Sequence, residues 1–580
     1  LAKQPVGKFA LVLHAHLPYV MAHGRWPHGT DWLCECAAET YLPLLDVLHR
    51  LVREGHSPKL TLGLTPVLTE QLADPAFQKE FVQYLKARIE AARDDEREFR
   101  REGLEHRARL ARRWEDHFAG VLSRFRGNYG GDLIAAFRNL QDAGHIEIIT
   151  SAATHGYLPL IGQDVNVQAQ VKVGAASYEQ HFGRAPRGFW LPECGYRPRY
   201  EWASPVKDAG PTTPVLRKGV EEFLAESGLR YFVIESHLLR GGEPIGVYLS
   251  RFGALETLWR QFSDSCPPQP EDVERSPHDL FLVGPTREGQ DPVAIFTRDP
   301  ATGAQVWSGD TGYPGDGWYL DFHKKHFPGG HRYWRVTESG SDLGAKQEYE
   351  PARAAERVPD HASHFKGLVK GLLQEHRDRT GRAGVLCAPY DAELFGHWWF
   401  EGPEWLYDVL KAIDADPELE AVTCEEALAA TPPTTVVALP EGSWGQGGFH
   451  WVWLNEWNEW IWKRVYQAER EMQELVEEFG SRKDDRLHGV LEQAARELLL
   501  LESSDWQFLI STWSARDYAE ARAADHFESF ERLRDLARRY GRGEPVDAAE
   551  WTFLHECRER DRAFARIDLN WFARLEHPIG

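Results

Sequence analysis

Gly188-Phe189-Trp190-Leu191-Pro192-Glu193-Cys194-Gly195-Tyr196 is a short apolar run that stops on a proline and a carboxylate. The run reads as a buried strand, and its abrupt polar end as the point where that strand delivers a reactive group. The same grammar recurs along the chain. Phe9 to Leu13 runs into His14-Ala15-His16-Leu17-Pro18, Leu60 to Leu64 into Thr65-Pro66, and Ile146 to Thr150 into Thr154-His155-Gly156-Tyr157. Tyr231 to Ile234 runs into Glu235-Ser236-His237, Gln305 to Trp307 into Ser308-Gly309-Asp310, and Val385 to Cys387 into Ala388-Pro389-Tyr390-Asp391. Seven candidate strands alternate with helical stretches, the order of an α/β fold with a parallel sheet. Reactive side chains gathered at strand carboxyl ends favour a barrel. The competing open sheet opens on a Gly-rich phosphate turn, and neither G-x-G-x-x-G nor G-x-x-x-x-G-K-[ST] follows any of these runs.

At 580 residues the chain calls for more than one core. Gln78 to Phe125, apolar residues set in dense charge, predicts long amphipathic helices inserted between strands, giving a helical subdomain over 78–125. The barrel then takes 1–77 and 126–430, and the helical stretch from 431 to 580, rich in Trp near its start, forms a C-terminal domain completing the cleft. The Gly/Pro-rich stretch of about 238–285 is long enough for a lid. A formal charge of −22 repels a phosphate backbone and excludes nucleic acid as a natural partner, whereas a neutral polysaccharide meets no such barrier. The 22 Trp offer stacking surface for sugar faces, although many must fill core. Seven scattered cysteines without C-x-x-C argue against disulfides and zinc knuckles. With no spanning apolar run and no export signal, the expectation is a cytoplasmic protein with no membrane partner; only two Met and many Arg and Glu suggest a thermophilic source.

Glu193 and Asp391, each after a strand and beside aromatics, make the carboxylate pair that glycosidic bond cleavage needs, one attacking C1 while the other protonates the leaving oxygen. A single such carboxylate is more often a helix cap or an ion-pair partner. His14 and His16 at a strand end could instead bind zinc if a carboxylate and a further His joined them.

The motifs His14 to Tyr19, Gly63 to Pro66, Thr154 to Tyr157, Gly188 to Tyr196, Pro389 to Trp399, Leu439 to Gly445 and Leu499 to Trp506 resemble, in order and spacing, those of the family 57 glycoside hydrolases. Within that family the likeness is to the 1,4-α-glucan (glycogen) branching enzymes. The resemblance implies an incomplete (β/α)7 TIM-like barrel and a retaining double displacement with Glu193 as nucleophile and Asp391 as acid/base. Their carboxyl groups should then stand roughly 5 to 5.5 Å apart. It further implies that His14, His16, His155, Trp190, Trp307, Asp310, His397, Trp398, Trp444, Asp505 and Trp506 contact an α-1,4-glucan, that Tyr248 sits near the tip of a mobile loop, and that neither metal nor cofactor is used. A monomer is expected. Branching differs from hydrolysis only in the acceptor, a glucan 6-hydroxyl in place of water. The alternatives are an α-amylase or 4-α-glucanotransferase of the same family, a zinc-dependent mannosidase-like or deacetylase-like enzyme, and a catalytically silent glucan-binding protein.

Overall fold

The computed structural model describes residues 5–210, 213–240, 254, 275–284, 291–309, 311–338 and 340–579. Seven parallel strands form its centre: β1 (Gly7–Ala15), β2 (Leu60–Leu64), β3 (Ile146–Ser151), β4 (Gly188–Trp190), β5 (Tyr231–Ile234), β6 (Val293–Thr297) and β7 (Gly384–Asp391). They lie in the order β7-β1-β2-β3-β4-β5-β6. Residues of β1, β2, β3 and β5 are buried almost without exception, which is why these strands read as continuous apolar runs with no alternation. At Gly188 the strands approach so closely that a β-carbon would come within 2.3 Å of Tyr231.

The curl of this sheet nearly closes. Arg298, just past β6, makes a parallel bridge with Cys387 of β7, and the Asp299 N–H donates to the Cys387 carbonyl at 3.0 Å. A full ladder is prevented because Phe281–Val283 pairs antiparallel with β6, and the Val385 N–H donates to His278 O at 2.9 Å. The barrel is therefore incomplete, with its seam between β6 and β7.

One expected strand is wrong. Gln305 to Trp307 ends a helix, Pro300–Trp307, whose first turn is capped by Asp299 accepting from the Thr302 N–H at 2.7 Å. Asp followed by Pro is a helix start, and it outweighs the apolar residues that follow. The strand at this place in the barrel is Val293–Thr297.

Between β2 and β3 the helices Pro75–Arg101 and Glu105–Gly127 pack as a pair through Phe81, Tyr84, Leu85, Leu110, Trp114 and Phe118. The buried Asp95 on the first accepts from Tyr333 at 2.6 Å and stands 3.1 and 3.2 Å from His326 and His331, which fastens the 326–333 segment to the pair. From residue 459 the chain is helical, with Glu459–Phe479, Asp485–Leu501, Ser504–Ser511, Arg516–Gly541 and Ala548–Arg560 packed on one another and on the barrel. No helix among the described residues is long and apolar enough to cross a membrane.

Candidate active site

Every barrel strand delivers a polar residue to one end. β1 supplies His14 and His16, the turn after β2 Thr65, the segment after β3 His155, that after β4 Glu193, that after β5 Glu235, that after β6 Arg298, and β7 Asp391. His14 and Asp391 are direct partners in the β1–β7 register.

Glu193 has a left-handed backbone, φ 59°, and Cys194 follows at φ 49°. Two non-glycine residues held there are a strain kept up by their surroundings. The Trp444 N–H donates to Glu193 O at 3.0 Å, and the Trp444 Nε1–H donates to Oε2 at 2.8 Å. The Ser504 hydroxyl donates to Oε1 at 3.0 Å. Burial raises the Glu193 pKa to about 7, with the charge of Asp505 adding to it, while the Trp444 and Ser504 hydrogen bonds and the His16 charge pull it back.

Beside it four rings lie nearly parallel: Trp190 on His14 at 4.5 Å, His14 on His155 at 5.1 Å, and His155 on His16 at 3.9 Å between ring centres. His155 Nδ1 lies 3.0 Å from Ser504 Oγ and its Nε2 lies 3.1 Å from His14 Nε2. With the Ser504 proton committed to Glu193, His155 donates from Nδ1 and accepts at Nε2, so His14 donates from Nε2. A directional chain, His14 to His155 to Ser504, thus ends on Glu193. Burial, with the charge of His16, drives the pKa values of His14 and His155 well below the ordinary histidine value, so both rings are neutral. His16 differs. Burial opposes its charge, but Asp505, at 2.9 and 3.1 Å from Nε2, outweighs burial together with Glu193 and Glu393, and its pKa is raised.

Asp391 closes β7 and is half-buried. Two residues on, Glu393 accepts from the His16 N–H at 3.0 Å and from the Tyr41 hydroxyl at 2.6 Å, and burial raises its pKa to about 7. Tyr41 comes from a π-helical turn, Ala37–Tyr41, a form concentrated at functional sites. The Cys194 thiol registers the shared field: burial pushes its pKa far up, and the charges of Glu235, Glu193 and Asp391 add to this against Arg298. Arg298 pairs with Glu235 at 2.8 Å and lies 5.9 and 5.5 Å from the ring centres of Trp307 and Trp444.

His397 and Trp398 line a separate cavity of about 1060 Å³, together with Trp26, Trp32, Phe508 and Ala515; neither Glu193 nor Asp391 is among its walls. His397 Nδ1 is 3.3 Å from Glu39 and Trp398 packs on Phe322 at 4.2 Å. Arg332 and His397 overcome burial and hold the Glu39 pKa down at about 2. Trp506 was expected in the cleft, but its ring is fully buried among the C-terminal helices. Its Nε1–H donates to Leu500 O at 2.8 Å, and the Arg522 guanidinium lies 4.9 Å from its ring centre. The preceding residues, Ser504 and Asp505, hydrogen-bond or ion-pair with Glu193 and His16. Tyr248 and Asp310, with most of the 238–285 stretch, lie outside the described residues.

Ser504, Thr65, Tyr41, Glu393, Glu235 and Arg298 were not among the expected site residues. Glu393 and Glu235 carried the signal already used for Glu193, a carboxylate just after a strand; Ser504 lay inside the motif Leu499 to Trp506 without any feature of its own to single it out. Two side-chain clusters among the described residues have metal-ligand spacing, His23-His526-Asp561 and Glu35-Glu39-His397. In each, a cation already pairs with a carboxylate: Arg560 with Asp561 at 2.6 Å in the first. Arg332 and Lys325 pair with Glu39 and Glu35 at 3.1 and 3.2 Å in the second, and Arg522 also donates to His526 at 2.8 Å.

Residues 10–440 match the glycosyl hydrolase family 57 profile, and residues 464–572 match that of the 1,4-alpha-glucan branching enzyme C-terminal region. A 1,4-alpha-glucan branching enzyme of Thermococcus kodakarensis is 41% identical over 564 residues, covering 97% of this chain and 78% of that protein. The crystal structure of the branching enzyme from the hyperthermophilic archaeon Pyrococcus horikoshii superposes with a TM-score of 0.86 at 40% identity, covering 99% of this chain and 98% of that one. The alpha-amylase AmyC of Thermotoga maritima superposes with a TM-score of 0.79 at 28% identity, covering 98% and 99%. With the family profile spanning most of its length, the chain belongs to glycosyl hydrolase family 57.

Proposed function

We propose that this chain is a 1,4-α-glucan branching enzyme in which Glu193 is the nucleophile and Asp391 the acid/base. The supporting observation is that the segment matching the branching-enzyme C-terminal region supplies Ser504 and Asp505 to the surroundings of Glu193, so the barrel and that region make one site. In the first step Glu193 attacks C1 of an α-1,4-linked glucose while Asp391 protonates the departing 4-oxygen, leaving a glycosyl-enzyme. In the second, Asp391 takes the proton of a glucan 6-hydroxyl, which attacks C1 and releases Glu193 with an α-1,6 linkage. The two donors on Glu193 favour the ionised nucleophile, and they hold the departing carboxylate in the second step. Neutral His14 and His155 spend their hydrogen bonds on each other and on Ser504, and so orient the donor on Glu193 without placing a charge beside it. The separate cavity of about 1060 Å³, walled by Trp26, Trp32, Trp398 and Phe508, has the size and aromatic lining to take several glucose units of a glucan chain.

The relative named an alpha-amylase makes hydrolysis the reading to be separated. Incubation with amylose, followed by proton NMR, should show new α-1,6 anomeric signals with few new reducing ends. Reducing ends without α-1,6 signals would assign the chain to hydrolysis, and longer linear chains would assign it to 4-α-glucanotransfer.

A further inference from the structure

Trp513 stands in the turn between the helices Ser504–Ser511 and Arg516–Gly541 with φ 56°, and it is 58% exposed. It follows a helix end, where a left-handed residue is ordinarily glycine because a side chain there is strained. A tryptophan at this position bears that strain and also leaves a large ring in water, so packing does not account for it. The ring has a neighbour. The half-buried Trp457 lies 5.5 Å away with its plane inclined by 55°. The two turns carrying these rings are sewn together: Asn455 and Asn458 donate to Ser511 Oγ at 2.9 and 3.0 Å, and Ser511 donates to Val452 O at 2.6 Å. On either side of Trp513, Phe508, Leu509, Ser514 and Ala515 form part of the wall of the cavity of about 1060 Å³.

We propose that Trp457 and Trp513 form a stacking platform for an α-1,4-glucan chain as it leaves that cavity. Flat rings bind the apolar faces of sugars. Successive glucose units of an α-1,4 chain turn relative to one another, and two rings inclined by 55° present faces to consecutive units of a curved chain better than a flat stack would. The Arg516 guanidinium lies over the Trp513 ring, 5.8 Å from its centre, with Nε donating to Glu520 at 2.8 Å; it backs one face of the ring and leaves the other for a sugar. The assignment rests on the glucan reading above and adds to it a site for long chains that short ones do not reach.

The test uses the full chain with W513G and W513A, measuring affinity for long amylose and for maltotriose together with the melting temperature. Glycine suits φ 56°, so W513G should melt at or above the wild-type temperature, while W513A keeps part of the strain. The wild type should bind amylose more tightly than maltotriose, and both variants should cut that ratio by roughly threefold to tenfold. A W513G protein with the wild-type ratio overturns the platform and leaves the enzyme assignment standing. A wild type that binds no amylose overturns the assignment and the platform with it.

Discussion

The ends of β4 and β7 look alike in sequence, an apolar run giving way to Pro and then a carboxylate, yet the fold treats them differently. Glu193 sits in a strained left-handed turn, buried, with a donor on each oxygen and a chain of neutral rings behind one of them. Asp391 continues an ordinary extended strand, φ −67° and ψ 132°, and is only half-buried. A nucleophile must be aimed and kept ionised in one place, whereas an acid/base must exchange its proton with leaving group, acceptor and solvent. The contrast in burial and backbone conformation supports the division of roles even though the Glu193 pKa, about 7, is the kind of value often found on an acid.

Replacing either carboxylate should cost about a thousandfold or more in transfer. A glucosyl donor with a good leaving group separates them: it should restore glycosyl-enzyme formation in D391N and leave E193Q inactive. Recovery in E193Q with none in D391N would reverse the roles.

A smaller effect sharpens the account of Glu193. Each donor on its carboxylate lowers its pKa, so W444F and then S504A should move the acid limb of kcat/KM, near pH 7 in the wild type, to higher pH. Activity should fall about tenfold below neutrality and much less near pH 8.5. Limbs left in place would mean that these hydrogen bonds do not govern ionisation.

Stability should report the same group with the opposite preference. The folded-state pKa lies above the ordinary 4.5, so the folded protein keeps a proton that the unfolded chain releases. The resulting penalty is absent below about pH 4.5, grows as pH rises, and is complete above about pH 7, where it amounts to about 3 kcal/mol. E193Q should therefore melt near the wild-type temperature at pH 5 and above it at pH 8. Equal melting temperatures at both values would refute the raised pKa.

The smallest effect should come from beside the site. W506F loses the bond to Leu500 O and should lower stability by about 1 to 2 kcal/mol while the pH profile stays unchanged.

Much of this was legible because buried parallel strands are apolar throughout and end abruptly. β1 to β5 and β7, together with the placement of His14, His16, His155, Glu193 and Asp391, follow from that alone. β6 was missed for a local reason: Val293–Thr297 is five residues with no motif at its end, while Ala-Gln-Val-Trp downstream looks like a strand unless Asp299-Pro300 is read as a helix start. Ser504 was invisible because a serine among helical residues has no signature. Its role arises only when Gly156 bridges Ser503 and the Ser504 N–H meets His155 O at 3.2 Å, a pairing across more than three hundred residues.

That long-range pairing bears on the order in which the protein comes into being. Synthesis proceeds from the amino end, and the barrel strands are complete by Asp391, well before Trp444, Ser504 and Asp505 exist. Until the segment carrying Trp444 and then the helix carrying Ser504 dock, Glu193 lacks the donors that favour its charge. A ribosome-bound or truncated barrel would thus hold every strand-end residue and still be latent, and catalytic competence would arrive late, when the carboxyl third of the chain closes on the rest.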